Sequence, residues 1–282
     1  MSDITKMGLN LLDPNAELFD KLRKNPPQWW NTLIADPEIY IEIRKDNKIH
    51  AYFYGARIAE IKIASTSKEL EVKCHIKYLN GKNETSSKYV DCQGAMADPK
   101  KFKTLKKNAI DCYVGEDEGE DISEKRIQGR LRIDNPQRYI DSEFEYSLTK
   151  DKSIRFDLVS CQSNVITIEE LKRIGDSRLR NSDMVEKLPE IYAQITDYTR
   201  FIESNVNELV QFYTVLLQIK SSLGLPVPPD YDCTKPLIIQ REPLLIIKNH
   251  YYYSKMGKKR CERIKDIQKF LSTHKIKYYI LP

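Results

Sequence analysis

The 282-residue chain has no apolar run approaching the roughly 20 residues that a helical membrane span needs. Its start, MSDITKMGLN, lacks the basic-then-apolar layout of a secretory signal, so the expectation is a cytoplasmic protein with no membrane partner. The six cysteines (74, 92, 112, 161, 233 and 261) form no CxxC pair. The four histidines never fall close to one another, and the single Cys74-His75 neighbour pair has no further cysteine or histidine near it. That spacing counts against a zinc site and against a disulfide framework. There are also no internal repeats and no low-complexity segments, which sets aside solenoids and disordered linkers.

What is present is an ordinary globular balance, 40% hydrophobic and 31% charged, in a chain long enough for two modest units. The charge is uneven. Residues 241–282 hold 11 Lys/Arg against 3 Asp/Glu, whereas the 240 before them hold 35 against 38. With Tyr251, Tyr252, Tyr253, Tyr278 and Tyr279 interleaved, this end reads either as a phosphate-contacting face with stacking side chains or as a solvated helix face over core tyrosines.

Residues 16–35 read as two short helices separated by Pro26 and Pro27. From Tyr40 to Leu79 the period becomes two, in IYIEIR, KIHAYFYG, ARIAEIKI and LEVKCHIKYL, with turns at Asp46-Asn47 and Asn80-Gly81. This predicts an antiparallel β-meander, followed by an exposed acidic loop over 115–121. Past residue 136 the layout is α/β: strands over 138–148, 153–160 and 164–172, helices over 184–204 and 206–222, then PLLIIK (243–248) as a buried strand. A helix over 257–274, with Cys261, Ile264, Ile267 and Leu271 on one side, and the strand KYYIL close the chain. The expected fold class is therefore α+β, with an N-terminal β-rich unit (1–135) and an α/β unit (136–282).

Three acidic-x-lysine triplets occur in these strands: Glu60 to Lys62, Glu71 to Lys73 and Glu170 to Lys172. Positions i and i+2 share a strand face, so each can present a carboxylate beside an ammonium. A divalent metal needs a second carboxylate from a neighbouring strand. Only the third triplet has one: Asp157 lies mid-strand in SIRFDLVS, where aspartate is a poor β-former and calls for a reason. The 13 residues from Asp157 to Glu170 suit a hairpin that brings the two acids together. One strand earlier, alternation sets Asp141, Glu143 and Glu145 on one face, with Glu143 chosen for an additional metal or water contact and Glu145 in reserve. Arg173, Arg178 and Arg180 follow the triplet where substrate phosphates would lie. Gln194 falls on the helix side of Ile191, Ile195, Tyr198 and Ile202, and an inward glutamine needs a polar partner that the cluster can supply.

The ordered set of Glu143, RFDLV around Asp157, IEELK with Glu170 and Lys172, and Gln194 on the next helix resembles the PD-(D/E)XK, or restriction-endonuclease-like, nuclease superfamily over roughly 136–205. The resemblance implies a mixed central sheet flanked by helices and cleavage of nucleic acid phosphodiesters with Mg²⁺ or Mn²⁺, DNA being set ahead of RNA. It also implies that Asp157, Glu170 and the Leu171 carbonyl hold the metal, that Glu143 completes the shell, that Lys172 positions water and offsets charge, and that Gln194 orients the cluster. Phe156 stands where the family usually has proline or a small apolar residue. A register bulge would put Glu169 in place of Glu170. The rival expectations are a nuclease-like nucleic-acid binder that does not cut, and an assembly component of a larger complex such as a bacterial defence system, with homo-oligomer or protein partners left open. The N-terminal unit is expected to supply specificity.

Overall fold

Two short helices open the computed structural model, which describes residues 12–114, 123–147, 153–180, 188–249 and 257–282: α1 (Glu17–Lys24) and α2 (Gln28–Ala35). Pro26 and Pro27 separate them, and Pro27 is the N-cap of α2. Their buried faces, Leu18, Phe19 and Leu22 and then Trp29, Trp30 and Leu33, join the apolar core. The predicted meander follows as β1 (Ile39–Arg44), β2 (Lys48–Phe53), β3 (Ala56–Ile63), β4 (Leu70–His75) and β5 (Tyr89–Asp91), antiparallel and in chain order.

Alternation overreached at one point. Ile76–Asn80 is a helix, α3, and not the end of a strand: His75 caps it by accepting from the Lys77 N–H, and Gly81, at φ 87°, closes it. Three further helices add to the elements predicted from the sequence: α4 (Gln93–Ala97), α5 (Pro99–Ala109) and α6 (Glu124–Asp134). Asp98 caps α5 and Ser123 caps α6 through their side chains. The acidic stretch 115–121 lies outside the described residues. Helix α6 meets the β2–β3 turn backbone to backbone at two glycines, beside Arg126 over the Tyr54 ring. A Cβ on Gly129 would strike the backbone of Tyr54 and Gly55, and one on Gly55, whose φ is +89°, would strike the Lys125 carbonyl.

The second sheet is mixed. β6 (Tyr139–Ser147), β7 (Ser153–Gln162) and β8 (Val165–Arg173) are antiparallel, as the alternation of 138–172 predicted. After the helix α7 (Glu190–Ser222), the two-residue β9 (Ile238–Ile239) and β10 (Leu244–Lys248) pair parallel to β8. Helix α8 (Gly257–Thr273) then returns the chain to β11 (Tyr278–Leu281), parallel to β10. The two helices expected at 184–204 and 206–222 are one, capped by Pro189 and kinked at Asn205, where φ is −130° and ψ 21°. On α8, Ile267 and Leu271 are buried as expected, with Ile264 packed beside them. Tyr251, Tyr252, Tyr253 and the Cys261 side chain lie outside the described residues.

One apolar core runs through both sheets. A buried charge network also ties them. Glu42 of β1 accepts from Arg132 Nε of α6 at 2.8 Å and Ser142 Oγ of β6 at 2.8 Å, with Lys220 Nζ of α7 at 3.4 Å. Next to it Arg44 donates to Asp141 at 2.6 Å. Helix α6, which the boundary at residue 135 leaves with the N-terminal unit, contacts both sheets. No described helix is long and apolar enough to cross a membrane.

Candidate active site

The β7–β8 hairpin turns through Ser163 and Asn164, at φ 48° and 64°, the left-handed pair that a two-residue turn matched to strand twist requires. Its ladder runs without a register shift from Gln162↔Val165 to Leu158↔Glu169 and ends there. Asp157, the next residue, no longer pairs with β8 through its backbone. Its carbonyl accepts from Gln128 Nε2 of α6, and its side-chain Oδ2 accepts from the Leu171 N–H at 2.9 Å. A carboxylate thus takes the place of a peptide carbonyl where the strands part, which is the reason for an aspartate in mid-strand.

Four oxygens surround the Lys172 ammonium in the opening. Glu170 Oε1 is in direct contact, the Leu171 carbonyl lies at 2.9 Å, Asp157 Oδ2 at 3.8 Å and Glu124 Oε1 at 4.0 Å. Glu170 is held from above by α7: Gln194 Nε2 donates to its Oε1 at 2.6 Å, and the Tyr198 hydroxyl lies 2.9 Å from its Oε2. The pairing expected for Gln194 is therefore present. Glu169 faces the opposite side of the sheet, taken by Ser160 Oγ at 2.5 Å and Arg138 at 3.0 Å, as the unshifted register requires.

The expected role of Glu143 needs correction. Alternation placed it with Asp141 and Glu145 on one face, but a register shift between Tyr139 and Asp141 and a φ of 51° at Glu143 break the pleat. Its carboxylate instead pairs with Lys125 at 2.9 Å and lines a different cavity. The reserve, Glu145, does reach the site, and so does Glu124 from the first turn of α6. Of the three arginines, Arg178 lines the cavity, bound to Asp176 at 2.6 Å and 3.8 Å from Glu124. Arg173 and Arg180 do not line it, and Arg180 instead donates to the Gly175 carbonyl at 2.6 Å. Arg155 lines it unforeseen, although it stands two residues before Asp157 on β7. Glu124 was legible only as a helix start, Ser123 followed by an acid, and Tyr198 only as the residue four past Gln194.

The cavity enclosed here measures about 400 Å³. Burial, and then the neighbouring Asp157 charge, push the Glu170 carboxyl up to about 7, and burial likewise raises Glu124. Native Glu170 therefore keeps its proton where the unfolded chain, titrating near 4.5, has lost it. Its contribution to stability is full below that value and is lost as pH rises through about 7. In EDTA, Glu170→Gln is expected to gain on wild type in urea midpoint between about pH 5 and about pH 8. A constant difference would deny the shift.

Do the donors suit a divalent ion? Among the described residues no three His, Cys, Asp or Glu side chains stand close enough to form a metal group by themselves. The set gathered around Lys172 instead mixes carboxylates with a backbone carbonyl, the all-oxygen chemistry that Mg²⁺ and Mn²⁺ accept. Two acids held beside each other in a buried site are also what a dication would relieve. No family model, no curated protein and no solved structure matches the chain.

Proposed function

We propose that the protein is a divalent-metal-dependent nuclease of the restriction-endonuclease-like class. The observation that carries this reading is the gathering of Asp157, Glu170, the Leu171 carbonyl and Glu124 around the buried Lys172 ammonium, where two strands separate. Asp157, Glu170 and the Leu171 carbonyl would hold Mg²⁺ or Mn²⁺, with Glu124 reaching it directly or through water. When bound, such an ion acidifies water and withdraws charge from a phosphate oxygen.

The chain's own groups do the rest. Lys172, fixed by the Leu171 carbonyl, presents its ammonium to the attacking water and to a non-bridging phosphate oxygen, where negative charge grows in the transition state. Gln194 and Tyr198 hold Glu170 in one rotamer, so its oxygens face the opening. Arg155 and Arg178 line the mouth and suit the flanking phosphates. The direct contact of Lys172 with Glu170 favours, as a second reading, a nuclease-like protein that binds nucleic acid without cutting.

The test joins chemistry to linkage. Purified protein is expected to cleave plasmid or oligonucleotide in Mn²⁺ and to stop in EDTA. Millimolar Mn²⁺ should raise the wild-type melting midpoint through mass action and leave Asp157→Asn unmoved, while in EDTA the variant melts no lower than wild type, since a like-charge neighbour of Glu170 has gone. A wild type that neither cuts nor shifts with Mn²⁺ would overturn the assignment. Cation-driven shift without cleavage would favour the second reading.

A further inference from the structure

A second cavity, of about 430 Å³, lies between the two sheets, and it shares Glu145 and Arg155 with the active-site cavity. The two hollows are thus neighbours joined along β6 and β7. The floor of the second is apolar, made by Ile43, Phe144 and Phe212, and Tyr146 forms a partly exposed aromatic wall. On the meander side of its rim Lys45 and Lys48 flank the β1–β2 turn with Asp46 between them, and of the other acids that line the cavity Asp141 is paired with Arg44, Glu60 with Arg57 and Glu143 with Lys125. Lys45 is exposed, and Lys48 has only a loose approach of 3.7 Å to Asp46. His50, which also lines it, stays neutral there, because burial and then Arg44 push its pKa down to about 2.

An apolar floor, a stacking wall and cations at the mouth are the complement of a nucleotide: the base enters, and the phosphates stay on the rim. The volume is that of a small-molecule pocket. A base within a duplex cannot reach between two sheets unless it is unpaired or flipped out. We infer that this cavity receives an unpaired nucleotide flanking the scissile phosphate, so that the substrate class is single-stranded nucleic acid or duplex with an unpaired stretch. Arg155, at the junction, then contacts the phosphate between the bound base and the cleavage point. This inference rests on the nuclease reading for the identity of the neighbouring site, but apart from the shared Glu145 and Arg155 the pocket is lined by residues that take no part in the chemistry.

The experiment measures binding alone, in EDTA, by fluorescence anisotropy of a labelled single strand of about twelve nucleotides and of its blunt duplex. Wild type is expected to bind the single strand at least about tenfold more tightly than the duplex. Lys45→Glu combined with Lys48→Glu should abolish that preference and lower the single-strand salt slope by about 1.4, the loss of two phosphate contacts. Tyr146→Leu keeps apolar bulk against Phe201 and should weaken single-strand binding by about tenfold while leaving the slope unchanged. Melting midpoints equal to wild type certify the fold of each variant. A wild type that binds both forms equally, prefers duplex or binds neither overturns the inference, as does single-strand affinity unchanged in both variants. Because no metal or cleavage enters, pocket-dependent binding without nuclease activity would sink only the catalytic reading. Metal-dependent cleavage with binding indifferent to the pocket would sink only this one.

Discussion

If the proposed nuclease reading holds, Lys172→Ala is expected to lower phosphodiester cleavage by about 10²–10³-fold, the range found when one preorganised donor to a developing charge is removed. The side chain is only 1% exposed, and its ammonium touches Glu170 and the Leu171 carbonyl with Asp157 just beyond. Removing it leaves Asp157 and Glu170 side by side without their nearest cation. Glu170, already pushed up to about 7, answers by retaining its proton to higher pH, so the folded state survives near neutrality while the chemistry fails. Single-turnover rates in Mn²⁺, read beside melting curves and Mn²⁺ titrations, check this. Full activity would remove Lys172 from the mechanism. An inactive variant that has also lost its cooperative melt would make it a structural ion-pair partner instead.

The largest stability effect is expected from the charge network between the sheets. Despite burial, Arg132 and Lys220 hold the Glu42 carboxyl below the ordinary carboxylate value, and burial pushes the Lys220 ammonium down to about 8. Glu42→Gln leaves both cations in the core facing a neutral amide, with Asp141 already engaged by Arg44. Breaking a buried pair in this way costs about 3–5 kcal/mol, enough to lower the melting midpoint by about 10 °C in a chain of this size. Adding Lys220→Met should recover part of the loss, because one stranded charge is then replaced by apolar bulk. Urea denaturation of the two variants and wild type measures both effects. A midpoint unchanged in Glu42→Gln would mean that the network carries no net stability.

Where local rules governed, the sequence was readable. Period-two alternation locates β6, β7 and β8 to within three residues, and the misfit of aspartate in SIRFDLVS singles out Asp157 from the sequence alone. The errors arose where one residue departed from its neighbours' geometry. Glu143 was assigned by assuming an unbroken pleat, and a single left-handed residue reverses that inference. Helices α4 to α6 escaped because two are short or lysine-rich and α6 carries its buried polar groups Gln128 and Arg132 on the face that pattern rules reserve for apolar ones. Glu124 could not have been placed from its neighbours, since its position depends on where α6 docks. The cavity between the sheets is likewise a product of long-range packing that no window of sequence contains.

The backbone contact between α6 and the β2–β3 turn extends the candidate site's dependence well beyond the residues that line it. Gly129 lies five residues, about 7.5 Å along the helix axis, from Glu124, and Gly55 faces Lys125 directly. Any side chain at either position must wedge the helix away from the turn, and the end that swings is the one bearing Glu124 and the Gln128 amide that holds Asp157. In a genetic screen, substitutions at Gly55 or Gly129 would therefore score with those in the candidate site, although neither residue has a side chain to offer. Excising residues 136–282 as a free-standing unit would discard an acid and an amide of the candidate site together with the surface that aims them.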